Sequence, residues 1–207
     1  MTQLFKKNYI IIKNAIDKDL TFFIYNYFLM KQQVAKTLFE YRYISPKETL
    51  FGHWSDKMIP NTYSHYSDLV AETLLLKLQP IMEKKTNLKL NPNYSYVRLY
   101  KKGDILRRHK DRLSCEVSTT LNLGGDVWPI WLEDTKGKEI EIKLNPSDML
   151  IYSGCELSHW RNKFEGDMCI QVFLHYNDMS NSKWENNKYD DRPHLGLPKW
   201  FKGKKLL

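Results

Sequence analysis

Residues 107 to 112 read RRHKDR, and this Lys/Arg-dominated stretch holds one imidazole, His109, and one carboxylate, Asp111, two positions apart. Alternate residues of a strand point to the same side, so the two can present a nitrogen and an oxygen donor together. The same residues fit a solvated turn with an ion pair, and H-x-D is too short a pattern to choose between them. A second histidine stands far along the chain in LNPSDMLIYSGCELSHW, where a strand ending at Gly154 leads to His159. Two imidazoles and one carboxylate make the set that holds non-haem Fe(II) by one face and leaves its other positions open. Zinc with open sites accepts the same donors. A chain with six histidines also brings such pairs together by chance.

These residues need strands to carry them, and the second half of the chain is patterned for strands. YSYVRLY sets Tyr94, Tyr96, Arg98 and Tyr100 against Ser95, Val97 and Leu99. A Tyr-Arg-Tyr face lies on the surface, the usual case in antiparallel sheets, or lines a polar cavity. This strand runs through KKGDILR straight into His109. EIEIKL, DMLIYSG and MCIQVFLHY are further strands, punctuated by Gly124-Gly125, TKGK and NPSD. The first half is helical after a short strand at IIIKNAI. From Asp17 or Asp19 as cap, Leu20, Phe23, Ile24, Tyr27 and Phe28 form an apolar stripe at helical spacing. A second helix follows Ser67, with Val70, Leu74, Leu75 and Leu78 toward a core and Lys84 and Lys85 near its end. Between them FEYRYISPKETLFGHWSDKMIPNTYSHYSD, broken by Pro46, Gly52 and Pro60, reads as a long ordered loop. Helices first and many short strands after predict a sheet sandwich or barrel with helices on its outside.

A chain of 207 residues is long enough to bury a real core as one domain. We divide it into a helical support and loop (1–90), a β core (91–178) and a tail (179–207) expected to be pinned by its aromatics. No run of about 18 apolar residues occurs, which excludes a membrane-spanning helix. MTQLFKKNYIIIKNAIDKDL has a short apolar run without a small-residue cleavage site and reads as no signal peptide. Asn93-Tyr94-Ser95 is formally a glycosylation sequon, which carries no meaning without a secretory signal. Cys115, Cys155 and Cys169 are an odd set with no C-x-x-C, as expected in a reducing cytoplasm. The net charge of +8 is scattered, densest in KWFKGKK near the end. Such an excess speaks to solubility and steering first, so a nucleic-acid partner is possible but not favoured.

Three motifs in order resemble one family. YKKGDILRRHKD is similar to Y-x-x-G-x-x-[YL]-x-x-H-x-D of the Fe(II)/2-oxoglutarate-dependent oxygenases, in their prolyl-4-hydroxylase-like branch. STTLNLGGDVWPIWL resembles the strand and turn that follow. LNPSDMLIYSGCELSHW resembles P-x-x-G-D-x-L-x-F-x-x-x-x-x-H, with Ser147 where that family carries glycine. The resemblance covers Tyr100 to Tyr176 and implies an α+β protein built on a double-stranded β-helix, a jelly-roll or cupin-like barrel with the N-terminal helices packed outside. It implies that His109, Asp111 and His159 bind Fe(II) and that Tyr100 lines the pocket of the cosubstrate 2-oxoglutarate. With O2, the implied reaction hydroxylates an unactivated C–H bond. A prolyl peptide or protein, or a free amino acid, is the leading substrate.

The chain departs from the family at the 2-oxoglutarate anchor. The usual late-strand Arg or Lys falls in DMCIQVF, which holds no cation. A buried dicarboxylate needs a cationic partner. Arg161, two after His159 and on its side of the strand, is the expected anchor, with Lys163 and Arg98 behind it and Gln171 as a neutral donor at the customary position. The competing reading of Arg161 is a surface ion pair with Glu165 or Asp167. Arg112 is expected to bind a substrate carboxylate or to hold the ligand loop. Trp128, Trp131 and Trp160 read as core or pocket wall, and His175 as a packed histidine rather than a fourth ligand. His53 and His65 read as surface-loop residues, with a lid over the site as the alternative. The loop from Phe39 to Tyr66 and the tail are expected to cover the substrate. Three other functions stay open: a nucleic-acid oxidative demethylase, a metal-binding β-helix without catalysis, and a zinc hydrolase. Nothing in the sequence sets the oligomeric state.

Overall fold

The computed structural model describes residues 8–45, 47–180, 187–201 and 203. The start of the segment read for a leader, Pro46 of the loop, and Lys202, Lys204 and Lys205 of the basic end lie outside the described residues. None of the described helices is long and apolar enough to cross a membrane.

In chain order the elements are β1 (Tyr9–Ile12), α1 (Lys18–Glu40), β2 (Tyr63–Tyr66), α2 (Leu69–Thr86), β3 (Leu90–Lys101), β4 (Leu106–His109), β5 (Val117–Gly125), β6 (Ile130–Glu133), β7 (Glu139–Ile142), β8 (Met149–Ser153), β9 (His159–Arg161) and β10 (Met168–Asp178). Six strands pair in the order β1-β8-β5-β10-β3-β2, and four in the order β4-β9-β6-β7. Every pairing is antiparallel. The two sheets face each other as a double-stranded β-helix, the architecture implied by the motifs.

Strand alternation gives the larger sheet two different faces. Val97, Leu99, Ile170, Val172 and Leu174 turn outward and pack on Ile24 and Phe28 of α1 and on Leu74, Leu75, Leu78 and Met82 of α2. Their neighbours Tyr96, Tyr100, Cys169 and Phe173 turn inward and meet Leu106 and Trp128. The Tyr-Arg-Tyr face of β3 therefore lines the barrel interior. Asp17 caps α1 by accepting from the Leu20 N–H at 2.7 Å. Asp68 caps α2 through the N–H groups of Val70 and Ala71 at 2.8 and 3.2 Å. The buried stripe of α1 runs through Ile24, Phe28 and Ala35, which leaves Phe23, expected in it, 65% exposed.

Three expectations are corrected. The aromatic segment is not all loop: α1 continues to Glu40 and β2 forms at Tyr63–Tyr66. That four-residue strand exists through its register with β3, Tyr63 opposite Leu99 and His65 opposite Val97, so its own pattern was too short to reveal it. His65 is accordingly buried beside Asp68 rather than on a surface loop. The described part of the tail is pinned by a buried ion pair, Arg192 to Glu72 at 2.8 Å, while the aromatic Trp200 is 64% exposed. Ser147 takes φ +75°, the left-handed conformation that glycine adopts without cost, and its hydroxyl meets that of Thr21 at 2.6 Å.

Candidate metal centre

β4 and β9 pair so that His109 stands directly opposite His159. Asp111 follows two residues on, its N–H held by the Gly154 carbonyl at 2.9 Å. The approach is tight, since a Cβ at Gly154 would lie 2.5 Å from Asp111 Oδ2. Asp111 Oδ1 lies 3.6 Å from His109 Nε2 and 3.5 Å from His159 Nε2, and the two rings are 4.2 Å apart. Both imidazoles are oriented identically. His109 Nδ1 donates to the Arg107 carbonyl at 2.8 Å, and His159 Nδ1 to the Leu157 carbonyl at 3.1 Å. A carbonyl only accepts, so each Nδ1 carries a proton, and each Nε2 faces Asp111. The other carboxylate oxygen, Oδ2, accepts from Ser118 Oγ at 3.1 Å.

This donor set fits a divalent metal. Two imidazole nitrogens and one carboxylate oxygen converge, and every second atom is tied by the kind of outer hydrogen bond that orients metal ligands. Burial pushes the Asp111 carboxyl upward, but the His109 and His159 rings outweigh it and hold the group ionised, well below the usual carboxylate range.

A cavity of about 170 Å³ opens beside these three residues, lined also by Tyr96, Arg98, Tyr152 and Phe173. Deeper in the barrel Arg161, on the same side of β9 as His159, is 1% exposed. Its guanidinium donates to the Trp128 carbonyl and to Thr120 Oγ1, the latter at 3.4 Å. Among the described residues it has no carboxylate partner, and its Nε has no hydrogen bond. Burial lowers its pKa. Tyr100 lies between the charges of Arg98 and Arg161, which oppose the upward push of burial on its hydroxyl. That hydroxyl is buried with no hydrogen bond of ordinary geometry among the described residues. An unpaired guanidinium and an unpaired phenol in one interior fit a carboxylate ligand.

The remaining candidates fall elsewhere. Arg98 is already paired, its Nη2 2.6 Å from Asp56 Oδ2, and Tyr96 donates to the same oxygen. Gln171 is also committed, accepting from Thr120 Oγ1 at 2.8 Å and donating to Cys169 Sγ at 3.1 Å. Lys163 lies at the surface, 3.4 Å from Glu165, so that pairing belongs to Lys163 and not to Arg161. Arg112 holds the tail through two 2.6 Å bonds to Asp190. His175 is buried, packs its ring tilted against Tyr94 with centroids 4.5 Å apart and meets Ser118 Oγ at 2.9 Å. Burial pushes its pKa down to about 4, with Asp111 opposing that push. Trp128 lines the interior beside Tyr100. Trp131 and Trp160 do not: they stack on each other on the outer face of the smaller sheet, 6.1 Å apart, with Arg108 over Trp160. His53 bridges to Ser64 through its backbone. Sequence reading did not single out Ser118 or Asp56. Their roles come from contacts 7 and 42 residues away, and neither sits in a motif.

No family model matches the sequence, and no curated protein is similar to it. Solved structures are. A prolyl-4-hydroxylase from Pseudomonas putida superposes with a TM-score of 0.66 at 13% identity, over 85% of this chain and 95% of that one. A prolyl hydroxylase from Trichoplax adhaerens, in complex with a hypoxia inducible factor oxygen degradation domain peptide fragment, gives 0.60 at 16% identity, over 88% and 89%. HygX from Streptomyces hygroscopicus, with nickel, 2-oxoglutarate and hygromycin B bound, gives 0.58 at 12%, over 88% and 92%. The fold is that of prolyl-4-hydroxylase-like 2-oxoglutarate oxygenases. Identities this low carry the fold, while the reaction has to be argued from the residues of this oxygenase-fold chain itself.

Proposed function

We propose that the protein is an Fe(II)- and 2-oxoglutarate-dependent oxygenase that hydroxylates an unactivated C–H bond of a prolyl peptide or of a free amino acid. One observation carries this reading: three metal-type donors converge at the mouth of a barrel that also buries a guanidinium without a carboxylate partner among the described residues. His109, Asp111 and His159 would hold Fe(II) by one face, and the metal would supply oxygen activation coupled to decarboxylation of 2-oxoglutarate.

The chain's own residues do the rest. The Arg107 and Leu157 carbonyls fix both imidazole tautomers, and Ser118 fixes the carboxylate. Arg161 and Tyr100 offer donors to the distal carboxylate of the cosubstrate. The position customary for the anchor, Gln171, lies on β10, whereas Arg161 comes from β9 in the opposite sheet. Both reach Thr120 Oγ1, so a cation arriving from the other sheet supplies charge at the same place. Phe173, Ile130 and Leu106 give the cavity an apolar wall.

The test is release of labelled CO2 from 1-labelled 2-oxoglutarate. The expected result is release that requires added Fe(II) and is lost on chelation and in Asp111→Ala. Equal release without iron, or undiminished release in Asp111→Ala, contradicts the proposal.

A further inference from the structure

Cys115 and His175 are a buried thiol and a buried imidazole, 2% and 6% exposed, to which the oxygenase reading gives no task. Both stand beside Asp111. The Cys115 sulfur, a His175 ring nitrogen and a carboxylate oxygen of Asp111 lie within 4.8 Å of one another. The three residues come from separate parts of the fold: the loop after β4, the single turn Leu113–Cys115, and β10.

A single hydroxyl marks where they meet. Ser118 Oγ lies 3.1 Å from Asp111 Oδ2, 3.0 Å from the Cys115 carbonyl and 2.9 Å from His175 Nδ1. It has one proton to give. The ionised carboxylate and the carbonyl both only accept, so one of them goes without that proton whichever way the hydroxyl turns. Cys115 Sγ adds further lone pairs at the same place, met by Tyr94 Oη at 3.0 Å. Buried acceptors that outnumber the protons between them are what a bound cation satisfies.

We infer that Cys115, His175 and Asp111 form a second metal site, for a zinc-class divalent cation, beside the proposed iron set. A thiolate with an imidazole selects zinc, whereas two imidazoles and a carboxylate suit iron. Zinc bonds of about 2.0–2.3 Å put tetrahedral donors roughly 3.3–3.8 Å apart, so side-chain movement of at most about 1.5 Å closes the site. Binding sends the thiol proton to solvent and leaves a sulfur lone pair on the metal. Tyr94 then donates to the thiolate, an outer hydrogen bond of the kind that holds metal ligands. The cavity borders Asp111 and His175, which gives a solvent molecule the fourth position. Asp111 is common to both sets. Its Oδ1 faces His109 and His159, and its Oδ2 lies on the side of Ser118 and His175. The second site stands whether or not the chain turns over 2-oxoglutarate.

The test uses cobalt(II), which occupies zinc sites and shows a thiolate-to-metal charge-transfer absorption only when sulfur is a ligand. It is titrated into His109→Ala protein, in which the iron set lacks a donor. The band is expected to appear, to saturate at one equivalent and to be bleached by zinc. In that background Cys115→Ser is expected to abolish it. His175→Gln is expected to weaken cobalt binding by more than the 10–100-fold typical of losing an outer partner. Cys155→Ser removes the neighbouring thiol, which lies 3.1 Å from the Arg112 carbonyl, and is expected to leave the band in place. No band, a band that survives Cys115→Ser, or one lost in Cys155→Ser overturns the inference. Should Cys115→Ser fail to fold, X-ray absorption of the zinc-loaded His109→Ala protein decides. One sulfur at about 2.3 Å is expected, and a shell of nitrogen and oxygen alone overturns it.

Discussion

His109 and His159 are direct cross-strand partners, and each donates its Nδ1 proton to the carbonyl two residues before it. The two halves of the proposed metal set, 50 positions apart in the chain, are thus built by one local device used twice. Removing one donor side chain should abolish metal binding without unfolding the barrel. His109→Ala and Asp111→Ala are expected to abolish iron-dependent turnover while circular dichroism and melting stay near wild type. Ser118→Ala should keep the ligands but loosen Asp111, which weakens iron binding by about 10–100-fold, the usual loss for an outer hydrogen-bond partner. Retained turnover in both ligand variants contradicts the assignment.

Arg161 makes opposite demands on binding and on stability. A buried guanidinium without a carboxylate is costly to desolvate, so Arg161→Met should melt at or above the wild-type temperature in the absence of ligand. The same variant should bind 2-oxoglutarate about 100-fold or more weakly, from loss of a charge-assisted contact of roughly 3 kcal/mol. Thermal melts with and without 2-oxoglutarate check both halves, since a ligand stabilises only what it binds. A variant that melts lower and still responds fully to 2-oxoglutarate contradicts the anchor role, and Arg98 then becomes the residue to test.

Ser147 separates backbone strain from a hydrogen bond. Its φ of +75° costs a side-chain-bearing residue about 1 kcal/mol or more, and its hydroxyl contact with Thr21 offsets part of that. Ser147→Ala keeps the strain and loses the contact, so it should destabilise by about 1–2 kcal/mol. Ser147→Gly loses both and should fall within about 0.5 kcal/mol of wild type. Denaturant midpoints distinguish the two, and equal losses contradict the account.

Asp68 links the fold to pH. Burial raises its pKa, but His65 and Lys31 outweigh burial and hold the folded value below the ordinary 3.8. A depressed carboxylate contributes stability that is fully present above its unfolded pKa and fades as pH falls toward the folded value. Stability should therefore drop below about pH 4 in the wild type. It should drop less steeply in Asp68→Asn, which keeps a capping side chain without the charge. Urea midpoints taken from pH 6 down to pH 2.5 measure this, and identical slopes contradict it.

These relationships were legible in the sequence to different degrees. The longer strands of the barrel and the Asp17 cap of α1 are local patterns, and the three proposed ligands sit in spaced motifs, so alternation and motif order were enough to single them out. The proposed anchor was harder to read, because a cation on β9 instead of the late strand leaves no local trace apart from its spacing to His159. Asp56 with Arg98, Arg112 with Asp190 and Glu72 with Arg192 were not legible at all. Each joins residues 42 to 120 positions apart, and no periodicity encodes which distant charge a buried one will meet. The strand at Tyr63–Tyr66 was hidden for the same reason, since its partner in β3 defines it. Trp131 and Trp160 were placed on the wrong side because a tryptophan's type does not say which face of a strand it takes; the alternation with buried Ile130, Leu132, His159 and Arg161 does.

The central claim, that His109, Asp111, His159 and Arg161 together form an iron and 2-oxoglutarate site, has one direct measurement. The metal-free protein is titrated anaerobically with Fe(II) and then with 2-oxoglutarate while visible absorbance is followed. The account predicts a charge-transfer band that needs both additions, is absent in His109→Ala, and requires much more 2-oxoglutarate in Arg161→Met. No band in the wild type, or an undiminished band in His109→Ala, would contradict it.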